Sequence, residues 1–201
     1  MPCIIDYPIV LRQLESEGLK CQYFNGGSFG FADPAAAQVR GWIGPADETI
    51  REEMRRFVRG PGEPHVDRLV EWASRAWIGV LGGRVWVMPA SHWSFELEYG
   101  NGAWLPGLLG EIGIDPKLLM GRTNAAAIEF QAGEEQGFRW LIGGLLSGLT
   151  ASDFTLAFPG RATVCMIHHH KQLWWMTMDE LIVQGLDERA ITESRGWLAA
   201  E

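Results

Sequence analysis

Hydrophobic residues recur at three- and four-residue intervals in several segments of the chain, which is the spacing of an amphipathic helix. In the segment 47–59, for example, Ile50, Met54, Phe57 and Val58 fall on one helical face. Glycine follows the segments that end at residues 17, 59, 112 and 120, as it commonly follows a helix. The pattern predicts helices over residues 8–17, 47–59, 65–76, 104–112, 134–149 and 187–198, and shorter ones over 34–40 and 117–120.

Other segments alternate apolar with polar residues, or are short apolar runs bounded by turn residues, as strands are. The segment 92–99 alternates at every position, with aromatic and leucine side chains on one face and polar ones on the other. Asn25-Gly26-Gly27 and Gly82-Gly83 are typical of hairpin turns. The pattern predicts strands over residues 19–24, 28–31, 77–81, 84–88, 92–99, 125–130, 154–158, 162–168 and 173–178, the last three as a meander.

These elements together predict an α+β fold. We expect a mainly antiparallel sheet of five to seven strands, with helices packed on one face and a helical N-terminal portion. A long alternation of strand and helix is absent from the pattern, which argues against a doubly wound parallel sheet. The length of 201 residues suits a single domain, with a mostly helical portion over 1–76 and a strand-rich portion over 77–201.

Charge and hydropathy narrow the classes of partner. The formal net charge is −8, whereas binding to nucleic acids or to anionic membranes depends on clustered lysine and arginine, so we expect neither partner. The most apolar stretch, 138–149, is shorter than the roughly 20 residues of a membrane-spanning helix. The first residues lack the basic start of a secretory signal, so a cytoplasmic location is the expectation.

Motifs for covalent catalysis and for structural zinc are weak in this sequence. The three cysteines are widely spaced and no Cys-x-x-Cys occurs, which argues against a disulfide framework and a zinc module. Residues 26–30 match Gly-x-Ser-x-Gly around Ser28, but no helix signal follows that serine directly, as a nucleophile elbow requires. On the predicted strand, Cys165 faces away from His168, so we interpret Cys165 as a buried hydrophobic residue.

The histidines are the best candidates for metal chemistry. If the strand over 162–168 continues, His168 and His170 point to one face, because side chains alternate along a strand. Two imidazoles placed in this way can bind a metal ion, with His92 as a third ligand, or Glu96 or Glu98 on the same predicted strand. The alternative interpretation is a plain polar turn, because the run His168-His169-His170 lies where the meander must reverse. No cofactor is indicated.

The run AAIEFQAGEEQGFRWLIGGLLSGLTASDFTL, over 126–156, resembles a stretch of the vinyl-reductase-type, haem-NO-binding and TRAPP-type ligand domains. The resemblance implies a strand, a glycine-studded helix and a second strand. Phe130, Ala132 and Glu134 occupy the positions of the haem family's Tyr-x-Ser-x-Arg signature, so no haem-binding residue is carried over.

Three hypotheses of function follow. The leading one is a non-enzymatic module that binds a protein partner or a small apolar ligand through a tryptophan-rich surface, since the chain has 10 tryptophans and no convincing catalytic motif. A tryptophan-rich core is the alternative explanation of that enrichment. The second hypothesis is a metal-binding protein or metal-dependent hydrolase that uses His168, His170 and His92. The third is a homo-oligomer that pairs through an exposed strand at 173–178.

Overall fold

Seven strands form one antiparallel sheet, which confirms the α+β class. The computed structural model describes residues 1–22, 28–31, 38–42, 66–120, 126–150, 152–177, 181–182 and 184–185. The strands of the main sheet are β1 (Cys3–Ile5), β4 (Gln38–Trp42), β5 (Val85–Pro89), β6 (Ala127–Phe130), β7 (Phe154–Ala157), β8 (Thr163–His168) and β9 (Gln172–Thr177). Their order is β1-β6-β5-β7-β8-β9-β4, and every neighbouring pair is antiparallel. A separate hairpin pairs β2 (Leu19–Gln22) with β3 (Ser28–Phe31), as its sequence predicts.

The described helices follow most of the predicted helical segments. They are α1 (Tyr7–Ser16), α2 (Val66–Ala76), α3 (Trp93–Phe95), α4 (Leu105–Glu111), α5 (Lys117–Met120) and α6 (Glu135–Gly148). Two π-helical turns, Trp77–Leu81 and Glu96–Gly100, extend α2 and α3. The helices predicted over 47–59 and 187–198 lie outside the described residues.

The sheet carries a hydrophobic layer on each face. The larger core joins α2, α4 and α6 to the face that presents Val85, Val87 and Phe154. The opposite face presents Trp86, Met88 and Val164 to α1, which contributes Val10 and Leu14. Most described helices therefore pack on one face, as expected, and α1 lies against the other. The edge strands β1 and β4 come from the first 76 residues, so the two predicted portions share one sheet.

Close packing of α4 on α6 explains two of the glycines in α6. A Cβ added at Gly148 would lie 2.7 Å from the ring of Trp104, and one at Gly144 would overlap the side chain of Leu108. Glycine is less favourable than alanine within a helix, by up to about 1 kcal/mol. Here it removes the side-chain volume that would keep the two segments apart.

Two predicted strands are helical instead. Segment 92–99 buries Trp93, Glu96 and Leu97, which is the i, i+3, i+4 pattern of a helix. The other residues of the segment are exposed, apart from the half-buried Ser94. The strand prediction for this segment was therefore wrong, because its alternation of apolar and polar residues is compatible with a helix as well as with a strand. The strand predicted over 77–81 was also wrong, because this segment continues α2 as a π-helical turn. Gly82 and Gly83, with φ of +63° and +65°, end this helix rather than turn a hairpin.

Two further predictions change at the β4 edge of the sheet. Residues 38–40 belong to β4 and not to a helix, while the preceding residues 34–37 lie outside the described residues. β4 pairs with β9 on the side opposite β8. The strand proposed for pairing across a two-fold axis is therefore internal to the sheet, and its backbone hydrogen bonds are used within the chain.

Candidate metal centre

Polar residues gather at one end of the sheet, where β5 and β8 end and β7 begins. The strand pairing places Pro89 opposite Phe154, and Phe154 opposite Ile167. The segments that follow β5, precede β7 and follow β8 are therefore neighbours. The amide of Ala90 donates a hydrogen bond to the carbonyl oxygen of Asp153 at 2.9 Å, which joins the first two segments.

Three consecutive histidines form the reversal between β8 and β9. His168 is the last residue of β8 and pairs with Gln172, and Lys171 closes the turn with φ of +59°. A left-handed backbone is uncommon for a residue other than glycine. The turn curls the chain so that the three rings do not alternate between faces as they would along a strand.

The three imidazoles lie against one another. Ring centroids are 4.2 Å apart for His168 and His169, 4.2 Å for His169 and His170, and 4.8 Å for His168 and His170. One potential ligand atom from each residue lies within 4.8 Å of the other two. His168 also stacks on Trp174, with centroids 4.7 Å apart and planes inclined by 7°. Two of the rings are half-buried and His170 is exposed, so the cluster is open to solvent on one side.

Asp153 orients one of these rings. Its Oδ1 accepts hydrogen bonds from the backbone amide of His169 at 2.9 Å and from Nδ1 of the same residue at 2.8 Å. With the proton on Nδ1, the lone pair of Nε2 is free to bind a metal ion. Metal-binding histidines usually donate their second ring N–H to a carboxylate, a backbone carbonyl or a water, which sets the tautomer and makes the ring a stronger ligand. His168 differs, since its Nδ1 accepts the amide of His170 at 3.2 Å.

The cluster differs in one member from the predicted set of His168, His170 and His92. Among the described side chains, the third close imidazole is that of His169. His92 is exposed and precedes α3, and because 92–99 is not a strand, it does not share a strand face with Glu96 and Glu98. His169 was missed because strict alternation would have placed it on the opposite face. Asp153 left no local signal, because it meets His169 only through the pairing of β7 with β8.

A buried carboxylate lies next to the same segments. Glu96 has no exposed surface. Its Oε2 accepts hydrogen bonds from Nδ2 of Asn101 at 2.5 Å and from Oγ of Ser152 at 2.9 Å, and its Oε1 accepts one from Ser91. Ser152 directly precedes Asp153, so this network and the histidine cluster are joined by one peptide bond.

The cysteine of β8 takes no part in the cluster. Cys165 is fully buried in the larger core, and burial raises the pKa of its thiol well above the usual value. A thiol in this state is neutral at physiological pH, whereas the thiolate is the nucleophile and the metal ligand. The interpretation of Cys165 as a buried hydrophobic residue agrees with this environment.

The described tryptophans belong mainly to the core. Of the eight whose side chains are described, Trp140 is exposed and Trp104 and Trp174 are half-buried. The other five are buried, and they are Trp72, Trp77, Trp86, Trp93 and Trp175. Trp140 is 58% exposed and stands between two hollows, of about 930 Å³ and 580 Å³. The larger hollow lies between α2, α4 and α6, with Val66, Val70 and Leu108 among its apolar residues. The described surface thus offers one exposed tryptophan, at a groove.

Comparisons of the chain with known proteins identify no family for it. No family model matches the chain, and neither the curated proteins nor the solved structures contain a match. The strand, helix and strand expected over 126–156 are present as β6, α6 and β7, and this order of elements is all that the resemblance to the ligand domains retains. None of the described helices combines the length and the hydropathy that crossing a bilayer requires.

Proposed function

We propose that this protein binds a divalent transition-metal ion at His168, His169 and His170. The observation that carries the proposal is the hydrogen bond from Nδ1 of His169 to Asp153, within a cluster of three imidazoles. A plain polar turn needs neither a carboxylate bonded to one of its rings nor three imidazoles in contact. A carboxylate that accepts the second ring N–H is one of the usual partners of a metal-binding histidine.

The ligand type favours particular ions. Imidazole suits Zn²⁺, Cu²⁺ and Ni²⁺, while Mg²⁺ and Ca²⁺ prefer oxygen ligands. Zinc–nitrogen bonds are about 2.0–2.1 Å, so tetrahedral ligand nitrogens lie roughly 3.3 Å apart. The present nitrogens lie within 4.8 Å of one another, so rotation of the side chains at the hairpin tip would bring them to that spacing. His168 would exchange its contact with the His170 amide for the ion.

Three protein ligands would leave one position of a tetrahedral ion for water. Catalytic zinc sites share this composition, and the ion lowers the pKa of the bound water. Hydrolysis is the reaction class that such a centre supports. Within the chain, Asp153 would hold the proton on Nδ1 of His169, and Trp174 would exclude water from one face of His168.

Zinc titration of untagged, chelator-treated protein tests the proposal. We expect one Zn²⁺ per chain by calorimetry, and at least a tenfold loss of affinity in His169→Ala, because one of three ligands is removed. His92→Ala is the matched control, since it deletes an exposed histidine outside the cluster, and it should bind as the parent does. Less than a tenth of an equivalent of bound zinc in the parent would overturn the proposal, as would unchanged affinity in His169→Ala.

A second function is favoured by the position of Trp140. We propose that the groove around it binds a segment of a partner protein that carries apolar and basic side chains. Tryptophan is among the residues that dominate protein interfaces, and Trp140 is exposed between the two hollows. Asp67 and Glu135 line the groove, while its arginine, Arg139, is paired with Glu71. Backbone hydrogen bonds lower the pKa of Glu135, which therefore stays ionised and available to a basic partner.

Two amphipathic peptides that differ only in lysine or glutamate on the polar face test this second function. The lysine peptide should bind at least tenfold more tightly than the glutamate peptide, measured by calorimetry, and Trp140→Ala should abolish the difference. Phe95→Ala is the control, because Phe95 is 50% exposed and does not line the groove. Equal affinity for the two peptides, or binding that survives in Trp140→Ala, would contradict it.

A further inference from the structure

We infer that Glu96 is a positioning residue of the histidine centre, acting through Ser152 and Asp153. The inference rests on the proposed metal site and adds a residue that does not touch the ion. It is carried by a path of hydrogen bonds and one peptide bond that runs from the carboxylate of Glu96 to the ring of His169.

Glu96 is a buried carboxylate whose described donors are all neutral. They are the hydroxyl groups of Ser91 and Ser152 and the side-chain amide of Asn101. A buried polar group is costly unless it is hydrogen-bonded, and these three donors satisfy both oxygens of Glu96. The hydrogen bonds therefore hold this side chain against the segment that leads to Asp153.

The local backbone is built around this carboxylate. In the π-helical turn, the amide of Asn101 donates to the carbonyl oxygen of Glu96 at 2.7 Å, five residues earlier, so both residues lie on one side of the helix. A Cβ added at Gly100 would lie 2.7 Å from Oε2 of Glu96, so any larger residue there would force this carboxylate to shift. Single π-helical turns are rare and occur frequently at functional sites.

The path continues through two neighbouring residues. The hydroxyl group of Ser152 donates a hydrogen bond to Oε2 of Glu96 at 2.9 Å. The same hydroxyl group accepts a hydrogen bond from Nδ2 of Asn101 at 2.8 Å. The next residue, Asp153, is held on its carbonyl oxygen by Ala90 and receives His169 on its side chain. Glu96 therefore holds Ser152, and the side chain of the next residue, Asp153, holds the ring that would bind the ion.

The test combines zinc affinity with a measurement on the metal-free protein. Ser152→Ala removes the link, and Glu96→Gln removes the charge while it keeps the side-chain size. We expect each to weaken zinc binding by about tenfold, at the lower end of what loss of a group supporting a metal ligand costs. We also expect faster solvent exchange of the Nδ1 proton of His169, observed by NMR with ¹⁵N-labelled histidine, because the Asp153 acceptor is less firmly held.

Thr163→Val is the matched control. It deletes a buried hydroxyl that bonds Thr177 at 2.7 Å elsewhere in the sheet, so it lowers stability without touching this path. It should leave the zinc affinity and the Nδ1 exchange rate unchanged, which separates positioning from general destabilisation. Parent-like affinity and exchange in Ser152→Ala would overturn the inference and leave the metal site standing. Failure of the parent chain to bind zinc would overturn the metal site and the inference with it.

Discussion

Asp153 receives both the backbone amide and the ring Nδ1 of His169 on a single carboxylate oxygen, at 2.9 Å and 2.8 Å. These two residues are 16 positions apart in the sequence and flank adjacent strands of the sheet, since Asp153 directly precedes β7 and His169 directly follows β8. One acidic side chain thus orders both the backbone of the hairpin tip and the orientation of an imidazole ring.

Replacing this acid should weaken zinc binding. Asp153→Ala removes the acceptor that keeps the proton on Nδ1, so we expect the zinc affinity to fall by roughly 10- to 100-fold. Asp153→Asn retains an acceptor oxygen without the charge and should lie between the parent and the alanine variant. Calorimetric zinc titrations measure the three affinities. Glu98→Gln, which removes an exposed acid, should bind zinc as the parent does, and equal affinities throughout would refute the role of Asp153.

Adding a methyl group at Gly148 should destabilise the protein. A Cβ there would lie 2.7 Å from the ring of Trp104, and such overpacking costs about 1–3 kcal/mol of unfolding free energy. Gly107→Ala is the matched control, because Gly107 is also helical and has no atom within 4 Å of an added Cβ. We expect it to be neutral or to stabilise the protein by up to about 1 kcal/mol. Urea unfolding measures both, and a neutral Gly148→Ala would contradict the described contact of Gly148 with Trp104.

The ion pairs of Glu71 should make a pH-dependent contribution to stability. Arg139 and Arg75 lower the pKa of this carboxyl group below its usual value, so the folded state prefers the ionised form. The contribution is therefore present above the unfolded pKa, near 4.5, and is lost as the pH falls through the lower folded value.

Glu71→Gln tests that contribution. Because the pairs are partly exposed, we expect a loss of about 0.5 kcal/mol at pH 7 and a smaller difference from the parent at pH 3. Urea unfolding at the two pH values measures it. A difference that grows on acidification would show the opposite sign and would exclude the ion pairs as its source.

Cys165 should remain unreactive and should contribute to stability below pH 9. Burial raises the pKa of its thiol well above the usual value of 9.0, so the folded state keeps the proton while the unfolded chain releases it above that pH. Stability should consequently fall as the pH rises from 9 to 10. Cys165→Ala lacks this thiol and should show a shallower loss of unfolding free energy over the same interval. Alkylation of Cys165 in the folded protein at pH 8, followed by mass spectrometry, would contradict the buried thiol.

Long periodic segments were predictable from the sequence because their signal is local. α1, α2 and α6 lie where hydrophobic residues recur at helical spacing, and the meander of β7, β8 and β9 lies where short apolar runs alternate with turns. Segment 92–99 shows the limit of such patterns. Its alternating residues fit a strand, but Trp93 and Leu97 are also one helical turn apart, and burial of that face selected the helix.

The candidate site divides in the same way. The sequence by itself determined that three histidines are consecutive and lie at a chain reversal, because turn position and residue type are both local properties. Only the tertiary structure decided that the ring of His169 lies against those of His168 and His170, since the turn does not alternate its side chains as a strand does. Asp153 and Glu96 reach the site through strand pairing and a π-helical turn. Such contacts join residues distant in the chain, and they depend on the packing of the whole sheet rather than on any neighbouring residue.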